Sequence, residues 1–322
     1  MNKFEWLPTE CAPKNYPITI VRGDFIFKNN NSIYIPDRGI VNNGWGELGS
    51  THIVGEDFKP LPVRLKIVWF SYTEDKFYAG DFDLPYDKIL RLFKKGFISP
   101  ATGKKATYRT IYVGLAPSGE ISVWLGGDGL ILEVASLQAE EVDIDWSNLL
   151  NNPDITRKDF IKEVLEESLS KEQLSFLQKT GIPKGLYKNT YREKYNWKPE
   201  STGLCKVTSM WIVTFNGEAE HIDFTVTPQA KEFNRAIPKH IMAGWTSAAG
   251  EGWARWVWFD EQETFKAFHE FQEKNLKAGK ETELTLEIEF DSEYIKKVFL
   301  KDKNTGDLLE LKNIEIHLDQ YR

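Results

Sequence analysis

Cysteine is almost missing. Cys11 and Cys205 are the only two in 322 residues; they lie far apart, no CxxC occurs, and no disulfide framework is implied. No apolar run approaches the roughly 20 residues of a membrane span. The opening MNKFEWLPTECAPKNYP lacks the apolar core of a secretory signal, and Cys11 follows Glu10 rather than the small residue of a lipoprotein cleavage site. As it stands the chain reads as soluble and cytoplasmic; with a signal trimmed from its start it would be a periplasmic or outer-membrane lipoprotein. Basic residues are absent from Thr110 to Thr156, where Glu120, Asp128, Glu133, Glu140, Glu141, Asp143, Asp145 and Asp154 stand alone. Such a block reads first as a solvated acidic face and second as a surface that steers a cationic partner. The net charge of −7 argues against a nucleic-acid partner.

The usual catalytic strings are absent too. There is no G-x-S-x-G elbow, no HExxH and no phosphate-binding loop, since Gly126–Gly129 lacks the lysine and hydroxyl that such a loop needs. The histidines are His52, His221, His240, His269 and His317, and none sits at metal-ligand spacing. His221 and Asp223 share a strand face that reads as solvent-facing. The 48 acids offer carboxylate pairs in such number that none stands out. No cofactor and no metal is expected.

What is abundant is aromatic: 13% of the chain, with 11 tryptophans. Alternating runs predict strands: YPITIVRGDFIF with a break at Gly23-Asp24, LPVRLKIVWFSY, TYRTIYVGLA with EISVWLGG about Pro117-Ser118-Gly119, and ETELTLEIEF. Asn216-Gly217 is a hairpin signal. Pro85 to Gly96 has the start and stop of a helix. Ser170 with Gln173 is a capping box, and Asp260 with Glu263 opens another helix. The fold class is α+β. Two related β-rich units, residues 1–150 and 203–322, each carry antiparallel strands and a packed helix, and a helical connector over 151–202 joins them, with a boundary near Pro199–Gly203.

The relation between the units rests on repeated phrases. GWGELGS (Gly44–Ser50) returns as GWTSAAGEGW (Gly244–Trp253), each after an Ile-Pro, and Val-Trp-Phe occurs at 68–70 and 257–259. Matching order suggests a tandem duplication. Four tryptophans fall between Trp245 and Trp258; Trp256 and Trp258 share a strand face and read as core. Trp45, Trp245 and Trp253 border small-residue loops, where core packing and partner anchoring are both open.

WLPTECAPKNYPITI, the IP…GWG phrase, VWFSYTEDKFYAGDFDLP and YVGLAPSGEISVWLGG resemble a bacterial family of unknown function, most clearly over Trp6–Trp146. Its members are often secreted lipoproteins, with genes frequently beside type VI secretion effectors, phospholipases in particular. The resemblance implies an immunity protein that binds and blocks a cognate effector protein. This non-enzymatic binding function is the leading expectation; a carbohydrate- or peptidoglycan-binding module is the alternative, and a hydrolase without a recognisable motif comes third. Partner-binding candidates are Trp45, Glu47, Tyr72, Glu74, Asp75, Asp128, Trp245 and Trp253, each in or beside a predicted loop.

Overall fold

The computed structural model describes residues 2–51, 56–150, 152–203, 205–226 and 233–318, so His52 lies outside the described residues. The chain divides into two compact units, Met1–Thr190 and Tyr191–Arg322. The stretch 151–202, read from sequence as a connector, is shared between them.

In the first unit the strands are β1 (Lys3–Glu5), β2 (Leu7–Cys11), β3 (Ile18–Ile26), β4 (Ser32–Tyr34), β5 (Phe58–Pro60), β6 (Arg64–Ser71) and β7 (Lys76–Asp83). Helix α1 (Tyr86–Lys95) follows, then β8 (Phe97–Ile98), β9 (Lys105–Ala106), β10 (Thr110–Leu115), β11 (Glu120–Gly127), β12 (Leu130–Gln138) and β13 (Glu140–Val142), and helices α2 (Arg157–Ser168) and α3 (Lys171–Thr180). One sheet runs β4-β3-β6-β7-β13, antiparallel throughout. The other runs β2-β10-β11-β12, with β2 parallel to β10 and the rest antiparallel. Ile20, Leu65, Ile67 and Trp69 of the first sheet share a core with Ile111, Val113, Ile121 and Val123 of the second, and with Ile89 and Phe93 of α1. These are the inward residues of alternating strands, so the pattern read from sequence becomes a two-sheet sandwich.

Helix α2 is fastened to the same unit. Val164 packs with Phe70, Tyr72 and Phe77 on the other face of the β6–β7 hairpin. Helix α3 begins with the capping box at Ser170 and Gln173, and the Gln173 amide also reaches Asn15 at 2.8 Å. These contacts place the helices with unit one.

The second unit has β14 (Lys194–Gly203), β15 (Lys206–Thr214), β16 (Ala219–Asp223), β17 (Phe233–Ala236), β18 (Pro238–Thr246), β19 (Gly252–Phe259), α4 (Glu261–Lys277), β20 (Leu284–Phe290), β21 (Ile295–Asp302), β22 (Leu308–Leu311) and β23 (Ile314–His317). Pro199–Gly203 therefore falls inside a strand. Within this unit the strands pair as β16-β15-β18-β19-β23 and as β17-β14-β20-β21-β22, with β14 parallel to β20. Leu284, Leu286, Ile288 and Phe290 are all buried, as their alternation predicts. Helix α4 starts at Asp260, whose carboxylate accepts the Glu263 amide at 2.8 Å, and Phe268 of α4 packs on Tyr195 and Trp197.

The two units share a strand order. With the short strands β1, β5, β8, β9 and β17 set aside, each runs as a strand, a hairpin, a second hairpin, a helix, a three-stranded meander and a last strand, and β2 pairs in parallel with β10 as β14 does with β20. The repeated phrases do not mark equivalent places in this order. Val68-Trp69-Phe70 lies in β6, the first strand of its hairpin, whereas Val257-Trp258-Phe259 lies in β19, the second strand of its hairpin. Trp45 is in a loop and Trp245 is within a strand. The expected turn at Gly23-Asp24 is also absent: β3 runs through it, and the hairpin closes instead at 27–31, where Asn30 has φ 65°. Gly23 serves close packing, since a Cβ there would meet Ile35 at 3.3 Å.

Candidate functional site

One end of the first unit brings together the β6–β7 and β10–β11 turns, and the sequence candidates Glu74 and Asp75 meet there. The turn after β6 carries Tyr72, Glu74 and Asp75; the turn after β10 carries Pro117-Ser118-Gly119. Glu74 ties the two turns together. Its carboxylate accepts from the Ser118 amide at 3.0 and 3.1 Å, from the Tyr78 hydroxyl at 2.9 Å and from the Ser71 hydroxyl at 2.8 Å. Ser118 has φ 61°, a left-handed conformation that a serine adopts at a cost. The Gln138 amide donates to the Ser118 carbonyl at 2.7 Å and holds the same turn from the side of β12. Burial, and after it the charge of Glu74, raise the Tyr78 phenol well above its ordinary range, so it stays a donor.

Glu120 makes a second clamp. It is 3% exposed, and its two oxygens accept the backbone amides of Gly185, Tyr187 and Lys188 at 2.5, 3.0 and 2.9 Å. Three backbone donors around one carboxylate satisfy a buried charge and fix the chain that follows α3. A cleft of 560 Å³ lies between these clamps, with Lys76, Glu141, Lys184 and Lys188 on its rim. Lys76 pairs with Glu141 at 2.5 Å, and that bond raises the lysine above its ordinary pKa.

A second cleft, of 410 Å³, adjoins it through Lys76 and Glu141 and is walled by Asp75, Asp143 and Arg157. The Arg157 guanidinium donates to the Asp75 carboxylate at 2.7 Å and to its carbonyl at 2.9 Å. It also stands over the rings of Phe70, Phe77 and Trp146 at 5.3, 5.7 and 5.2 Å, a stacked arrangement suited to arginine. This holds the Asp75 turn, where φ is 55°. Glu140, Glu141 and Asp143 are exposed along β13 and just beyond it. The end is therefore stiff beneath, with lysines and acids both on its surface.

The other candidates go elsewhere. Trp45 is 6% exposed and stacks edge-on to Trp124 at 4.9 Å and against Tyr187 at 4.8 Å. Gly114 makes room for both indoles, since a Cβ there would lie 2.5 Å from Trp124 and 2.7 Å from Trp45. Glu47 is half-buried in the same loop, and its carbonyl accepts from Asn43. Tyr72 is buried, with its hydroxyl 2.9 Å from that of Thr19. Asp128 is exposed in the turn after β11, at the opposite end of that strand from Ser118. Trp245 is 1% exposed and donates its indole N–H to the Ser292 carbonyl at 3.1 Å. Trp253 is its cross-strand partner, half-buried under the Arg255 guanidinium. Trp256 and Trp258 flank His240 on the strand face opposite Trp245. The tryptophans read as possible anchors are thus mainly packing groups. Ser118, Glu120 and Arg157 were not singled out as site residues from sequence. Ser118 was visible only as a hairpin turn, and Glu120 only as one of eight acids.

Residues 1–185 match the family model described as "Protein of unknown function (DUF2931)". The chain belongs to the DUF2931 family. The match lies within the first unit, which holds the clamped hairpin tips. No curated protein and no solved structure matches this DUF2931 chain. Among its described residues, no helix is long and apolar enough to cross a membrane, and no group of three His, Cys, Asp or Glu side chains is placed to hold a metal ion.

Proposed function

We propose that this DUF2931 protein binds and blocks a cognate antibacterial effector, of the type VI class and in the phospholipase group, acting as an immunity protein without chemistry of its own. The observation that carries the reading is the pair of carboxylate clamps, Glu74 and Glu120, beside the exposed acids of β13 and the turn after it. Glu74 and Glu120 are occupied in holding backbone amides of neighbouring turns. Their work is to fix loop shape, and a preorganised surface loses little entropy on binding. Beside them the exposed Glu140 and Asp143 supply a field that accelerates encounter with a basic surface. The common strand order of the two units supports a tandem duplication of one α+β unit, the second copy having diverged beyond the reach of the family model.

The test is co-purification with the product of the neighbouring gene, with toxicity measured in the presence and absence of this chain. The double charge reversal Glu140→Lys/Asp143→Lys is expected to slow association about tenfold at low salt and to change dissociation little. Failure to form a complex, together with failure to protect, would sink the proposal. A carbohydrate-binding reading has one observation in its favour: a 750 Å³ cleft in the second unit lined by the carboxamides Asn196, Asn234 and Gln272.

A further inference from the structure

Charge is sorted along the chain more sharply than its total suggests. From Lys88 to Arg109 stand Lys88, Arg91, Lys94, Lys95, Lys104, Lys105 and Arg109, with no acid among them. The all-acidic block begins at the next residue. In the fold this basic stretch is α1, the short β8–β9 ribbon and the lead into β10. Lys94, Lys95, Lys104 and Lys105 are exposed, and among the described residues they enter no ion pair.

Apolar side chains stand out from the same surface. Ile98 is 66% exposed and Phe58 is 58% exposed. Ile98 pairs across the ribbon with Lys105. Phe58 borders a 560 Å³ hollow together with Phe4, Lys94, Lys105 and Arg109. Two acids share that rim. Glu5 lies 3.8 Å from Arg109, and Asp128 is in the turn after β11. Lysines around protruding Phe and Ile side chains form a surface of two parts, one attracted by anionic headgroups and one that enters the acyl boundary.

We propose that this face, the β8–β9 ribbon with the C-terminal end of α1 and Phe58, seats the protein on an anionic lipid surface. A nucleic acid would use the lysines but would give Ile98, an aliphatic side chain at a ribbon edge, nothing to stack on. The bilayer uses both parts. The proposal does not depend on the effector-binding reading, because it concerns other residues and another readout.

The test is co-sedimentation of the full chain with vesicles of phosphatidylcholine alone and with vesicles containing about a third phosphatidylglycerol, at low and moderate salt. Binding is expected only to the anionic vesicles and is expected to weaken with salt. Lys104→Glu/Lys105→Glu is expected to reduce it on the order of tenfold or more, and Phe58→Ser/Ile98→Ser several-fold. All four positions are exposed, and circular dichroism of each variant confirms that the fold is kept. No binding, or equal binding to both kinds of vesicle, overturns the proposal. So does anionic binding that ignores Phe58→Ser/Ile98→Ser while duplex DNA binds with the same lysine dependence, which would assign the face to a polyanion instead.

Discussion

The hairpin tips of the two units occupy the same places in the strand order and are joined by different chemistry. In the first unit the turn between β6 and β7 reaches the turn between β10 and β11 through Glu74, whose carboxylate takes the Ser118 amide. In the second, strands β18 and β20 meet through Trp245. Its ring lies 5.0 Å from that of Phe290, and its indole N–H donates to Ser292 in the turn after β20. A polar clamp leaves an open cleft with charged walls; an indole fills the space. The framework thus sets which loops are neighbours, and the residue at the junction decides whether a recess or a plug results. The family model matches residues 1–185, within the first unit.

Three substitutions test this contrast, with stability read by hydrogen exchange on peptides from each unit. Trp245→Ala should have the largest effect, about 3–5 kcal/mol confined to the second unit, since it opens a cavity and leaves the Ser292 carbonyl without its donor. Glu120→Ala should cost the first unit about 2–4 kcal/mol, because three backbone amides lose one acceptor. Equal loss in both units from either change would erase the distinction between them. The third is a pH effect. Burial, then proximity to Cys11 and Glu47, pushes the Tyr112 phenol up to about 12. Unfolded, it ionises near 10. The folded form keeps the proton longer, so its stabilising contribution is complete below pH 10 and is lost as pH rises from 10 towards 12. Tyr112→Phe should remove that part of the alkaline loss, at most about 3 kcal/mol, as seen in urea melts across the range.

Local signals were legible in the sequence. The capping box at Ser170 and Gln173, the Asp260 cap and the Asn216-Gly217 turn are each completed within a few residues, and each is present. The alternation of Leu284 to Phe290 was readable because one face is buried. The strand order was not readable, since β2 finds β10 across a long separation that no short window contains. The tryptophan phrases misled for a related reason. Similar strings arose in different settings, with Trp45 in a loop, Trp69 in β6 and Trp245 in β18. Of the candidate site, Glu74 and Asp75 were found by their place beside a turn. Glu120 and Arg157 act on distant segments and left no local trace.

The Gly44–Ser50 loop also bears on how the chain emerges during synthesis. Strand β2 is made early, yet its parallel partner β10 is made about a hundred residues later, a delay of several seconds at ordinary translation rates. During that time its backbone would stand open to any passing strand. The loop is made much sooner, and it lies along β2. The Gly49 amide donates to the Thr9 hydroxyl, that hydroxyl to the Ser50 carbonyl, the Ser50 amide to Glu10, and the Gly44 amide to the Ala12 carbonyl. In the second unit β17 pairs with β14, and it too is made before β20. In each unit a segment that docks beside the parallel-paired strand thus comes earlier in the chain than that strand's parallel partner.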